Sequence, residues 1–160
     1  MINLKMELYP FTKYQVRKTV LEQAVVAILL ITPIIVIFLA FAPLIVIIIY
    51  SNEFSPIVAM VSWGILGMIF KAVSWSMGYM IIAKGDSKVF IKTAIGFNAI
   101  LLIFNVLGYH YGGLEGIGFS FFIYYIIHYI VIRIITYHRY DFYFAKGFYK
   151  IFTFTVILCL

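Results

Sequence analysis

Four long apolar runs, separated by short polar or glycine-containing segments, dominate the pattern of the chain. They extend over residues 24–50, 57–83, 89–107 and 114–137, and a fifth run, 151–160, is shorter. A helix that crosses a bilayer needs about 20 residues, a length that the first four runs approach or exceed and the fifth does not. Strands of a membrane barrel would instead alternate over about 10 residues. The pattern predicts an all-α fold: a single-domain, polytopic transmembrane helical bundle with four complete spans and a truncated fifth.

The segments outside the spans are polar, basic or rich in turn-forming residues. Residues 1–23 form a basic lead-in, and 138–150 is a basic and aromatic stretch before the last run. Residues 108–113 are predicted to form a glycine-containing turn. Pro33 and Pro43 lie inside the first run, so we expect a kinked first helix.

Composition supports a lipid environment. The chain is 65% hydrophobic and 11% charged, whereas a soluble domain is about 45–50% apolar and about 25% charged. The single cysteine, Cys159, excludes an internal disulfide. The formal net charge of +6 raises the question of nucleic acid. Most of the basic residues lie between the apolar runs or near their ends, however, where they act as topology signals, and no nucleic-acid partner is expected.

The basic residues also predict an orientation. Eleven of the twelve fall in segments that alternation places on one side of the membrane, and the loops around Glu53 and Glu115 contain none. Because lysine and arginine accumulate in cytoplasmic loops, the N-terminus of this chain is expected in the cytoplasm.

The twelfth basic residue, Lys71, lies in the middle of the second predicted span. It is about 20 Å from either end of that span, and a charge at this depth costs about 2.5–3.5 kcal/mol. Small residues share its helical face at three- and four-residue spacing: Gly64, Gly67, Ser74 and Gly78. Two interpretations stay open. Lys71 faces a cavity and meets an anionic ligand, which the absence of a mid-depth acid favours, or it pairs with a carboxylate and only stabilises the bundle.

Three further polar residues are candidates for lining such a cavity: Ser74, Asn98 in the third span and His128 in the fourth. Hydrogen bonding between helices explains Asn98 equally well, and a histidine at such a position is more often a packing residue than a proton relay. The three histidines lack metal-ligand spacing, and no paired acids share a face. We therefore expect neither an enzyme, nor a cofactor, nor a metal.

Three segments carry a resemblance to a known family. Residues 49–54 (IYSNEF), 71–85 (KAVSWSMGYMIIAKG) and 113–118 (GLEGIG), together with Asn98, resemble the O-antigen flippases of the multidrug/oligosaccharidyl-lipid/polysaccharide flippase superfamily. Ser76 stands where that family usually has proline. The resemblance covers roughly residues 9–137. It implies the last four helices of the second six-helix lobe plus the start of a thirteenth, so the chain would lack the first lobe, as a fragment or a truncated gene would.

The resemblance implies a function in the bacterial cytoplasmic (inner) membrane. The substrate would be an undecaprenyl-diphosphate-linked oligosaccharide, carried between leaflets by alternating access, with Lys71 as a cavity cation and Ser74, Asn98 and His128 as lining residues. Membrane lipids, a polysaccharide polymerase and chain-length proteins are the other partners implied. Two alternatives stay open: a multidrug exporter of the same superfamily, and a small membrane protein that scaffolds a polysaccharide assembly complex.

Overall fold

The chain folds into helices joined by short connections. The computed structural model describes residues 13–159, and within them there is no strand. The α-helices are α1 (Lys13–Ile49), α2 (Ile57–Ala83), α3 (Ser87–Tyr140) and α4 (Lys146–Cys159), with a single 3-10 turn at Asn52–Phe54. The predicted all-α class is confirmed. Three of these helices, α1, α2 and α3, are long and apolar enough to cross a membrane.

Helix α3 is interrupted at Gly113 and folds back on itself. Gly113 has φ 58° and ψ −137°, a backbone conformation that is not helical and that glycine adopts without a Cβ penalty. The ring centroids of Phe97 and His128 lie 4.2 Å apart, although a straight helix would separate these residues by about 46 Å. The first arm (87–112) and the second arm (114–140) therefore run antiparallel.

Helix α2 lies between the second arm and α1. Gly67 packs against Tyr125 and the backbone of Phe122 on the second arm. Ser76 lies about 200° from Ser74 around the helix axis, and it contributes to a groove shared with α1.

Helix α4 packs on α1 and also reaches the centre of the bundle. The ring centroid of Phe152 in α4 lies 5.6 Å from that of Phe70 in α2 and 5.3 Å from that of Tyr129 in the second arm.

One end of the bundle is basic, and ion pairs join its loops and helix ends. Arg139 donates from Nε to Asp86 at 2.6 Å, and Arg17 lies 3.2 Å from the Asp141 carboxylate. The hydrogen bond from Arg139 holds the pKa of Asp86 below its usual value. At the opposite end the indole nitrogen of Trp63 lies 3.5 Å from Glu115. Apart from Lys71, the lysines and arginines of the described residues lie toward the first end. This matches the one-sided distribution of basic residues in the sequence.

The helices extend beyond the apolar runs that predicted them. Helix α1 already includes residues 13–23, which contain no glycine or proline and carry a Lys18–Glu22 pair at 3.8 Å. The turn predicted over 108–113 is confined to Gly113, and α4 begins at Lys146, five residues before the last apolar run. Helix α1 continues through both of its prolines. Residues 1–12 of the predicted lead-in and residue 160 of the last run lie outside the described residues.

Candidate functional site

One face of α2 is left uncovered between α1 and the second arm. A Cβ atom built at Gly64 or at Gly78 would meet nothing within 4 Å, and the Trp75 side chain is 60% exposed. Lys71, half-buried, lies between these residues. We call this strip, Gly64, Lys71, Trp75 and Gly78, the open face of α2. The single small-residue face of the sequence is thus divided, because Gly67 and Ser74 turn toward the second arm and are buried.

Two aromatic rings lie close to the Lys71 ammonium group. Its Nζ lies 5.4 Å from the ring centroid of Trp75 and 5.1 Å from that of Tyr125. Both distances allow cation–π attraction. Among residues 13–159, the ion pairs are formed by Arg17, Lys18 and Arg139, and Lys71 takes part in none. Its charge is therefore contacted by ring faces rather than by a carboxylate of the described chain.

Lys71 also lines a groove of about 450 Å³ between α1 and α2. Gln23 contributes from α1, and Ser76 and Tyr79 contribute from α2. The groove thus combines one cation with amide and hydroxyl groups on otherwise aliphatic and aromatic walls. Such a mixture suits an anionic group attached to an apolar or amphipathic molecule.

The other three predicted site residues come together in a second cavity. Ser74, Asn98 and His128 line about 350 Å³ between α2 and the two arms of α3. The Ser74 hydroxyl donates to the carbonyl oxygen of Lys71 at 3.0 Å, and its oxygen lies 2.8 Å from Nδ1 of His128. Asn98 donates to the carbonyl oxygen of Ala94 at 2.8 Å and is exposed. The cavity therefore keeps one hydrogen-bonded pair and one accessible amide.

Two aromatic residues that the sequence reasoning did not select connect the two spaces. Trp75 and Tyr79 line both the groove and the cavity, and Tyr79 is 47% exposed. They follow Lys71 at i+4 and i+8, so the same helical spacing that grouped the small residues could have identified them.

Asn105 shares the face of Asn98 and has a buried carbonyl oxygen without a hydrogen-bond partner.

No protein-family model matches the chain, and neither a curated protein nor a solved structure is similar to it. Within residues 13–159, no group of three or more histidine, cysteine, aspartate or glutamate side chains comes together that could hold a metal ion. Together the groove and the cavity offer one cation, several hydroxyl and amide groups, an imidazole, and exposed indole and phenol rings.

Proposed function

We propose that this protein takes part in moving an anionic, lipid-linked oligosaccharide across the bacterial inner membrane, as an O-antigen or polysaccharide flippase. The observation that carries the proposal is the Lys71 ammonium group on the open face of α2. It has no carboxylate partner in residues 13–159 and lies against the rings of Trp75 and Tyr125. A cation at that depth is costly, and intramembrane ionisable residues accordingly tend to serve function.

The two spaces beside Lys71 suit different parts of such a substrate. The diphosphate would approach the ammonium group in the groove that Gln23 also lines. Sugar rings would contact the exposed faces of Trp75 and Tyr79, with hydrogen bonds from the side chains of the neighbouring cavity: Ser74, Asn98 and His128. An exporter of cationic drugs would call for an acid in place of Lys71, so the sign of the charge favours the flippase.

The proposal includes a membrane arrangement. The two arms of α3 would cross the bilayer separately, which with α1 and α2 makes four crossings, and α4 would enter the membrane from its basic end. The basic end, with Arg17, Arg139 and the start of α4, would face the cytoplasm. Glu53 and Glu115 would then lie on the periplasmic side.

The test compares Lys71 variants in cells that carry the full protein. Lys71→Ala is expected to abolish surface polysaccharide, measured by antibody binding to intact cells, whereas Lys71→Arg keeps a good part of it because the charge remains. Lys88→Ala is the matched control, since Lys88 is an exposed lysine at the basic end. Membrane levels of each variant are measured by immunoblotting. Normal export by a well-expressed Lys71→Ala protein would contradict the proposal and would leave a scaffolding role.

A further inference from the structure

A separate pocket opens at the basic end, on the second arm near the start of α4. Its volume is about 350 Å³. Its apolar lining includes Ile130 and Ile134, and its polar lining includes Arg133, Tyr137, His138, Tyr143 and Tyr149. We call it the Arg133 pocket. It shares no lining residue with the groove or the cavity beside Lys71.

The charge of Arg133 is not neutralised by the described chain. Within residues 13–159, three acids lie at this end. Glu22 pairs with Lys18, Asp86 with Arg139, and Asp141 with Arg17. The Arg133 guanidinium carbon instead lies 4.9 Å from the ring centroid of Tyr149. Arg133 also hydrogen-bonds the side chain of Tyr129. Most of the five N–H donors of the guanidinium stay available, and a planar fork of donors matches the oxygens of a phosphate.

The pocket changes from apolar to polar along the second arm. Ile130 and Ile134, one turn apart, are 47% and 51% exposed. The arm then continues toward His138 and the basic end, where Tyr143 is 64% exposed. A bound molecule would therefore meet aliphatic surface on one side and cationic and phenolic groups on the other. A phospholipid has this division, whereas a free phosphate ion would leave the aliphatic part unused.

We propose that the Arg133 pocket binds one anionic phospholipid of the leaflet at the basic end. The lipid phosphate contacts the Arg133 guanidinium and the Tyr143 hydroxyl, and an acyl chain lies along Ile130 and Ile134. Basic pockets between helices at the cytoplasmic surface commonly hold anionic headgroups. The inference rests on this pocket alone and does not depend on the proposed transport function.

The test uses the purified full chain and native mass spectrometry. Phosphatidylglycerol is titrated against phosphatidylcholine, and inorganic phosphate is added as a competitor. Arg133→Gln is expected to weaken phosphatidylglycerol binding about fivefold, the usual contribution of one basic residue at an anionic membrane surface. Arg133→Lys retains part of the affinity because it keeps the charge but not the planar donors. Ile134→Ser weakens binding of the lipid through its acyl chain.

The matched control is Lys150→Gln, which removes an exposed charge of α4 that does not line the pocket. It should leave phosphatidylglycerol binding nearly unchanged. Equal losses in Arg133→Gln and Lys150→Gln would show a diffuse charge effect and overturn the proposal. Equal affinity for phosphatidylcholine, or displacement of the lipid by inorganic phosphate, would overturn it as well. Circular dichroism confirms that each variant keeps its helix content, so that a loss of binding is not a loss of folding.

Discussion

At the residue scale, Lys71 combines an electrostatic cost with a local compensation. Placing a lysine in the middle of a span costs about 2.5–3.5 kcal/mol. Cation–π contact with Trp75 and Tyr125 offsets about 0.5–2 kcal/mol of this cost. Lys71→Met, which fits the same aliphatic path, is therefore predicted to stabilise the folded protein by about 1–2 kcal/mol. The buried thiol of Cys159 offers a measurement, because a thiol-reactive dye reports its exposure during heating.

Lys88→Met is the control for this prediction. Because Lys88 is exposed, this substitution should leave the thermal midpoint nearly unchanged. A lower midpoint for Lys71→Met would mean that the rings of Trp75 and Tyr125 more than offset the burial of the charge. Lys71 would then be a structural residue. Stability and export are thus expected to move in opposite directions when the charge is removed.

The polar residues of the candidate site could be selected from the sequence, but their division between the groove and the cavity could not. Helical spacing places Ser74 and Lys71, three residues apart, on one face. In the structure Ser74 lies in the cavity with His128, and Lys71 lies in the groove beside α1. About 60° of rotation separates these positions, enough to put them on different sides of a helix contact. The i+4 spacing from Lys71 places Trp75 on the same face, but an aromatic residue in an apolar run gives no indication by itself that its side chain is 60% exposed.

At the element scale, the helices depend on close backbone approaches at glycines. A Cβ atom at Gly118 would collide with the backbone of Met60 in α2. Gly118→Ala is therefore predicted to destabilise the protein by about 1–3 kcal/mol, the usual cost of overpacking. Gly112→Ala is the matched control, because a Cβ atom there would meet nothing within 4 Å. Thermal unfolding in detergent measures both, and equal midpoints would contradict the packing of α2 on the second arm.

Helix boundaries could be predicted only partly, because apolarity and helicity are different properties. The apolar runs mark what lipid can surround, and helix α1 continues into the polar residues 13–23 because nothing there breaks it. The break in α3 depends on a single φ value at Gly113. Six candidate turn positions, 108–113, include three glycines, and composition alone does not say which of them leaves the helix.

At the scale of the whole molecule, the hairpin shape of α3 decides how many times the chain can cross a membrane. A straight helix of 54 residues would be about 81 Å long, far more than a hydrocarbon core of about 30 Å. Two antiparallel arms remove this mismatch, and each then has about the length of a tilted span. The arms also return the chain to the end where it started, which is why Asp86 and Arg139 can form an ion pair.

This geometry leads to a labelling prediction for the proposed arrangement. Single cysteines are introduced as Asn52→Cys, Ser87→Cys, Tyr111→Cys and His138→Cys, in a background that keeps the buried Cys159. In cells with a permeable outer membrane, an impermeant thiol reagent should label Asn52→Cys and Tyr111→Cys, because Tyr111 is 83% exposed near the hairpin turn. Ser87→Cys and His138→Cys should react only after the inner membrane is opened. The reverse pattern would invert the orientation, and labelling of Ser87→Cys and His138→Cys from opposite sides would exclude two separate crossings by α3.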